Sequence, residues 1–120
     1  QHVVEFGAGT GRLTCLLAPL AQFIHACDSS AHMLTVAERK LKAGGWQNWQ
    51  LHHADNANLP LPDQSADIAI EGWSFAHACG WFPDTWQHEV GKMITEMKRL
   101  LKPGGMFILR YWKRDGQLNW

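Results

Sequence analysis

Glu5-Phe-Gly-Ala-Gly-Thr-Gly11 follows a short apolar run, His2-Val-Val-Glu-Phe6, and precedes Arg12-Leu-Thr-Cys-Leu-Leu17. The run has the length and residue types of a buried strand. The glycines let the backbone turn tightly and approach a ligand with no Cβ in the way. Beyond them, Leu13, Leu16, Leu17 and Leu20 fall on one stripe of a helix expected over Thr10 to Leu20, with Pro19 near its end. A helix N-terminus after such a loop offers free N–H groups to a polar or anionic ligand. Taken alone, the same loop also serves as a tight strand-to-helix turn and nothing more.

The alternation continues outward from this unit. Gln22-Phe-Ile-His-Ala-Cys27 reads as a second strand, stopped by Asp28-Ser29-Ser30, which are good helix N-caps. A helix from Ala31 to Ala43 follows and ends at Gly44-Gly45. Trp49 to Ala54 is a third strand, Asp55 to Ser65 a polar, proline-containing loop, and Ala66 to Glu71 a fourth strand. From Asp84 to Lys102, Val90, Met93, Ile94, Met97, Leu100 and Leu101 fall at helical spacing. Pro103-Gly-Gly105 breaks that helix, and Met106 to Trp112 is a fifth strand. This order predicts an α/β fold, a parallel sheet with right-handed crossovers and helices on both faces. Ligands in such folds sit outside the carboxyl ends of the strands, so the residues just after each strand are where function is sought.

Composition narrows the class of function. The 120 residues are 46% hydrophobic and 18% charged, enough apolar material for one domain and too few residues for two. Eleven basic residues against eleven acidic ones give no net charge, which argues against a broad electrostatic grip on nucleic acid or an anionic membrane. Lys92 to Arg114 holds seven basic residues against the single acid Glu96, and reads as a solvated face. No apolar run is long enough for stable membrane insertion and no signal peptide is visible, so a cytoplasmic setting is expected. Cys15, Cys27 and Cys79 lack metal-ligand spacing, and Cys15 and Cys27 are expected as small core residues. The seven histidines likewise form no ligand-like set, and no metal site is expected.

The spacing of the glycine loop separates two cofactor readings. A dinucleotide fingerprint needs glycine at position 12, where this chain has Arg12; the third glycine comes one residue early, at Gly11. Asp28 ends the second strand, where a carboxylate can accept hydrogen bonds from both hydroxyls of a ribose. It is equally placed to cap the next helix. Asp55-Asn56 ends the third strand, where an Asp can receive the exocyclic amine of adenine or simply make an Asx turn. Glu5, Asp28 and Asp55 thus fall at the ends of three successive strands.

Four segments in order resemble class I S-adenosylmethionine-dependent methyltransferases. They are Glu5 to Gly11; Cys27-Asp-Ser-Ser-Ala-His-Met-Leu34; Asp55-Asn-Ala-Asn-Leu-Pro60 with Pro62-Asp-Gln-Ser-Ala-Asp67; and Leu100-Leu-Lys-Pro-Gly-Gly-Met-Phe-Ile108. The likeness spans nearly the whole chain and is greatest to the small-molecule branch typified by ubiquinone/menaquinone-biosynthesis-type enzymes. It implies a Rossmann-like, doubly wound sheet of strand order 3-2-1-4-5. It also implies S-adenosyl-L-methionine as cofactor and a small-molecule or lipid-like methyl acceptor. On this resemblance the loop Gly7, Ala8, Gly9 and Gly11 cradles the methionine end, with Glu5 supporting the loop or the cofactor amino group. Asp28, with Ser29 beside it, holds the ribose diol, and Met33 packs near the adenine. Asp55 accepts the adenine amine, Asn56 and Ala57 line that pocket, and Glu71 faces the methionine tail and acceptor.

Methyl transfer asks little of side chains beyond positioning, and a base matters only if the acceptor must lose a proton. His77, after the fourth strand near Trp73 and Ser74, is the candidate base, with a plain structural histidine as the alternative. Trp73, Trp81 and Trp86 are candidate walls of an acceptor pocket, and Trp46 and Trp49 are expected in packing. Two other functions remain open on sequence: an NAD(P)-binding oxidoreductase-type domain and a non-catalytic scaffold of the same fold. The family sheet has two further strands after the fifth. Residues 1–120 are therefore expected to be an S-adenosylmethionine-binding domain incomplete at both ends, with the fifth strand at an edge.

Overall fold

The strand β1 (His2–Phe6) is buried from Val3 to Phe6, as the middle strand of a parallel sheet covered on both faces must be. It pairs in parallel with β2 (Phe23–Asp28) on one side and β4 (Ala66–Glu71) on the other. β3 (Trp49–His53) adds beyond β2, and β5 (Leu101–Leu109) beyond β4, giving the order β3-β2-β1-β4-β5. The computed structural model describes residues 1–71, 86–109, 111–112 and 118–119, with side chains for 1–71 and 87–109.

Period-two alternation divides the core into two layers. Val4, Phe6, Cys27 and Ala69 point to the face covered by α3 (Trp86–Leu100), which contributes Val90, Met93, Ile94, Met97 and Leu100. Val3, Ile24 and Ile70 point to the opposite face, against Leu13 and Leu17 of α1 (Arg12–Leu17). Glu5 shares the parity of Val3, so the pleat carries its side chain towards α1 and away from α3. α2 (Ala31–Ala43) has the bounds that its patterning predicts, with Ser30 as N-cap and Gly44 as C-cap.

Several boundaries differ from the sequence expectation: β2 lies one residue later than expected, β3 stops at His53, and β5 begins at Leu101 instead of Met106. α1 begins at Arg12 and stops at Leu17, because Gly9 and Gly11 have positive φ and Pro19 follows the Ala18 cap. Leu16 and Leu20 are consequently exposed, and the buried side of this segment runs through Thr14 and Ala18 between Leu13 and Leu17. α3 ends at Leu100, not Lys102, since Leu101 already pairs with Ala66. The Lys102–Gly105 stretch bulges out before the ladder resumes at Met106 opposite Ile68. β5 ends at Leu109, opposite Glu71, short of the expected Trp112. Tyr111–Trp112 (β6) pairs antiparallel with Leu118–Asn119 (β7) instead.

Candidate functional site

The reversal of strand order falls between β1 and β4, and the carboxyl ends of β1, β2 and β3 open side by side next to it. The glycine loop after β1 is built of consecutive special conformations: Gly7, Gly9 and Gly11 have φ of 69°, 57° and 81°. Ala8 N–H donates to the Cys27 carbonyl at 2.9 Å, and Gly11 N–H to the Ala8 carbonyl at 3.0 Å. Two of these glycines have separate reasons. At Gly11 a Cβ would lie 2.8 Å from the Ala37 Cβ, so glycine is what lets α1 approach α2. At Gly9 a Cβ would meet nothing within 4 Å, which leaves open space above the loop.

Asp28 ties the loop to the end of β2. Its Oδ2 accepts from Gly9 N–H and its Oδ1 from Ser30 N–H, both at 2.8 Å. The capping role belongs to Ser30, whose Oγ accepts from Met33 N–H at 3.3 Å. Asp28 is thus free of that duty and keeps further lone pairs on both oxygens. The Ser29 carbonyl lies 2.9 Å from His53 Nε2, and Met33 is exposed on the first turn of α2. After β3, Asp55 Oδ1 accepts from Ala57 N–H at 2.7 Å and the Asp55 carbonyl from Asn58 N–H at 3.0 Å. The Asx turn is therefore real, and it presents Asp55 outward instead of consuming both carboxylate oxygens. Asn56 Oδ1 is buried with no hydrogen-bond partner among the described residues. Glu71 is fully buried at the end of β4, in register with Phe6.

Two buried acids carry the electrostatics beneath these loops. Glu5 is 2% exposed, and Thr14 Oγ1 donates to its Oε1 at 2.5 Å. Burial pushes this carboxyl up to about 7; the Thr14 hydrogen bond pulls the other way and Asp28 adds to the rise. Glu5 is thus tied to α1 through Thr14. Glu96 is also buried, but it faces Arg99, and that hydrogen bond holds its carboxyl below the usual range against the cost of burial.

Thr14, Glu96 and Arg99 were not site candidates on sequence. The sequence reads Arg99 as part of a solvated basic face, yet its guanidinium bonds Glu96, Asp63 and two loop carbonyls. The available signal was an acid and an arginine three apart among Met93, Met97 and Leu100. Cys27 is fully buried, and burial pushes its thiol up to about 12, whereas Cys15 is only half-buried. His77, Trp73, Ser74, Cys79, Trp81 and the Trp86 side chain lie outside the described residues, as do the side chains of 110–114.

Among the described residues no helix is long and apolar enough to cross a membrane. The family description "methyltransferase domain" matches residues 4–109. A demethylmenaquinone methyltransferase of Symbiobacterium thermophilum is 31% identical over 113 residues, covering 90% of this chain and 41% of that protein. The crystal structure of the YcgJ protein from Bacillus subtilis superposes with a TM-score of 0.79 at 29% identity, over 95% of this chain and 46% of that one. An S-adenosylmethionine-dependent methyltransferase from Clostridium acetobutylicum gives a TM-score of 0.79 at 26% identity, over 93% of this chain and 43% of that one. The chain spans less than half the length of each of these relatives.

Proposed function

Because the chain belongs to the methyltransferase-domain family, we propose that it binds S-adenosyl-L-methionine and serves methyl transfer to a small-molecule or lipid-like acceptor. On this reading residues 1–120 are the cofactor-binding domain of the enzyme. The observation that carries it is the row of loops at the carboxyl ends of β1, β2 and β3. The open space over Gly9 suits a close-lying ligand. The outward Asp55 and the orphaned Asn56 Oδ1 suit an amine-bearing base. The residues present fit the cofactor.

In the bound state the sulfonium supplies an electrophilic methyl group, so the protein's part is orientation and exclusion of water. Gly7, Ala8, Gly9 and Gly11 would cradle the methionine end. Asp28, already oriented by Gly9 and Ser30, would accept the ribose hydroxyls on its remaining lone pairs, with Ser29 alongside. Met33 would cover the adenine, Asp55 would accept its amine, and Asn56 and Ala57 would line its edge. Glu71 would face the methionine tail, and His77 is the candidate base for an acceptor that must lose a proton. The quinone-type substrate named for the Symbiobacterium relative makes a lipid-like ring the first acceptor to try.

Calorimetric titration of the full-length protein with S-adenosylhomocysteine and with NADH tests the reading. Binding of the former alone is expected, and Asp28→Ala should weaken it by roughly 1–3 kcal/mol. Tight NADH binding would sink the proposal, and an unchanged affinity in Asp28→Ala would remove the ribose assignment.

A further inference from the structure

The chain between β3 and β4 crosses from one parallel strand to another without a helix of its own. Such crossovers are usually helical because a helix satisfies its own backbone groups. Here Pro60 and Pro62 rule that out, removing two N–H donors and forcing Leu59 and Leu61 towards extended conformations. The loop's polar groups must be satisfied from elsewhere, and one side-chain pair on α3 does much of it. Glu96 Oε2 accepts from Leu59 N–H at 2.5 Å. Arg99 Nη2 donates to the Leu59 carbonyl at 3.1 Å, and Nη1 to the Leu61 carbonyl at 2.9 Å. The backbone joins in: Gln64 N–H donates to the Arg99 carbonyl at 2.9 Å.

The pair is itself locked. Arg99 Nε and Nη2 meet the two carboxylate oxygens of Glu96 at 2.6 and 2.7 Å, a fork-to-fork geometry that holds both planes. Nη1 also reaches Asp63 at 2.6 Å. Leu59 is buried in the core beside Met97 and Leu100, so the clamp and the hydrophobic anchor act at the same residue. Four residues upstream of that point lies Asp55, which accepts from Ala57 and Asn58 N–H and is so tied to the residues just before Leu59. A segment this short, fixed at β3 on one side and Leu59 on the other, has little freedom left.

We infer that Glu96 and Arg99 are positioning residues for the adenine edge of the cofactor site, holding Asp55, Asn56 and Ala57 in place through the backbone of Leu59 and Leu61. The inference rests on the cofactor reading proposed above and extends it to two α3 residues that act through the loop backbone. Its signature is selectivity. A loop that aims Asp55 at the adenine amine discriminates a 6-amino base from its 6-oxo counterpart; a loop that wanders does not.

The test compares S-adenosylhomocysteine with S-inosylhomocysteine by calorimetry on the full-length protein. The wild type should prefer the amine by about tenfold, the worth of one hydrogen bond to a charged group. Arg99→Gln should lose that preference, both ligands binding with similar, weakened affinity. A merely structural contribution would lower the affinity for both ligands alike and leave their ratio intact, and that result overturns the inference. Glu96→Gln keeps the shape of the side chain and removes the charge that locks Arg99. It must lose the preference too, and it carries the test alone if Arg99→Gln does not fold. A wild type that binds neither ligand refutes the cofactor reading and the inference with it. Binding without preference leaves the cofactor reading standing and overturns the positioning role.

Discussion

Glu5 and Glu96 are both buried acids, one beneath the glycine loop and the other beneath the loop after β3, yet they are satisfied in opposite ways. Glu5 has a hydroxyl partner, Thr14, and Asp28 near it, so burial wins and its carboxyl holds a proton up to about pH 7. Glu96 has a guanidinium fork and a backbone N–H, so its charge is favoured despite burial. A polar group under a loop can be held by neutralising it or by pairing it, and this chain uses one solution per loop. The choice follows from reach. Thr14 is the α1 residue directly over Glu5, while Arg99 lies one turn from Glu96 on the same helix.

The contrast is sharpest when the pair is broken. Arg99→Ala leaves Glu96 buried without its counter-charge and the Leu61 carbonyl without its guanidinium donor, while the Leu59 carbonyl keeps Leu61 N–H. It should cost roughly 3–5 kcal/mol in urea denaturation. Arg99 is 31% exposed, so water entering the gap would bring the loss to the lower end. A loss below that range would mean that Glu96 is not held chiefly by Arg99.

The pH dependence separates the two acids by sign. Between the ordinary glutamate value and about 7 the native Glu5 holds a proton that the unfolded chain has released, so its contribution to stability falls as pH rises through that window. The full shift corresponds to about 3 kcal/mol. Glu5→Gln should flatten the stability profile there. Glu96, with its folded value depressed, stabilises above the ordinary glutamate value and loses that contribution as pH falls below it. Denaturation midpoints across pH 3 to 8 should therefore depart from wild type towards high pH in opposite directions, Glu5→Gln above it and Glu96→Gln below it; departures of the same sign would refute the distinction.

Thr14→Val tests the neutral solution directly. It keeps the shape and deletes the donor to Glu5, with an expected loss of roughly 1–3 kcal/mol, larger at pH 8 than at pH 5. A loss independent of pH would show that Thr14 matters to packing and not to the carboxyl. The smallest effect is expected at Asp63, whose side chain is 76% exposed although it lies 2.6 Å from Arg99. Asp63→Asn should change stability by less than about 1 kcal/mol, as exposed ion pairs do. A larger loss would make Asp63 a full member of the clamp.

The order of strands and helices, the glycine loop and the acids at the strand ends were legible in the sequence because each is written locally. Alternation, helical spacing, capping residues and proline or glycine stops act over a few residues. β1 and α2 have the bounds their patterns predict, and the resemblance to class I methyltransferases grew from the same short motifs. What the sequence left open concerned partners far apart in the chain. The stripe through Leu16 and Leu20 is exposed because the glycine conformations and Pro19 shorten α1 and the sheet selects another side of it. Ser30 takes the capping of α2, and Asp28 turns to Gly9 N–H only when the loop after β1 comes within hydrogen-bond reach. Arg99 reads as a solvated cation until the proline-rich loop, more than thirty residues earlier, folds onto it. Local propensity determined which elements form and which residues stand at the carboxyl ends of the strands; only the tertiary structure decided which buried charges are paired, because burial and partnership are properties of residues brought together by the sheet.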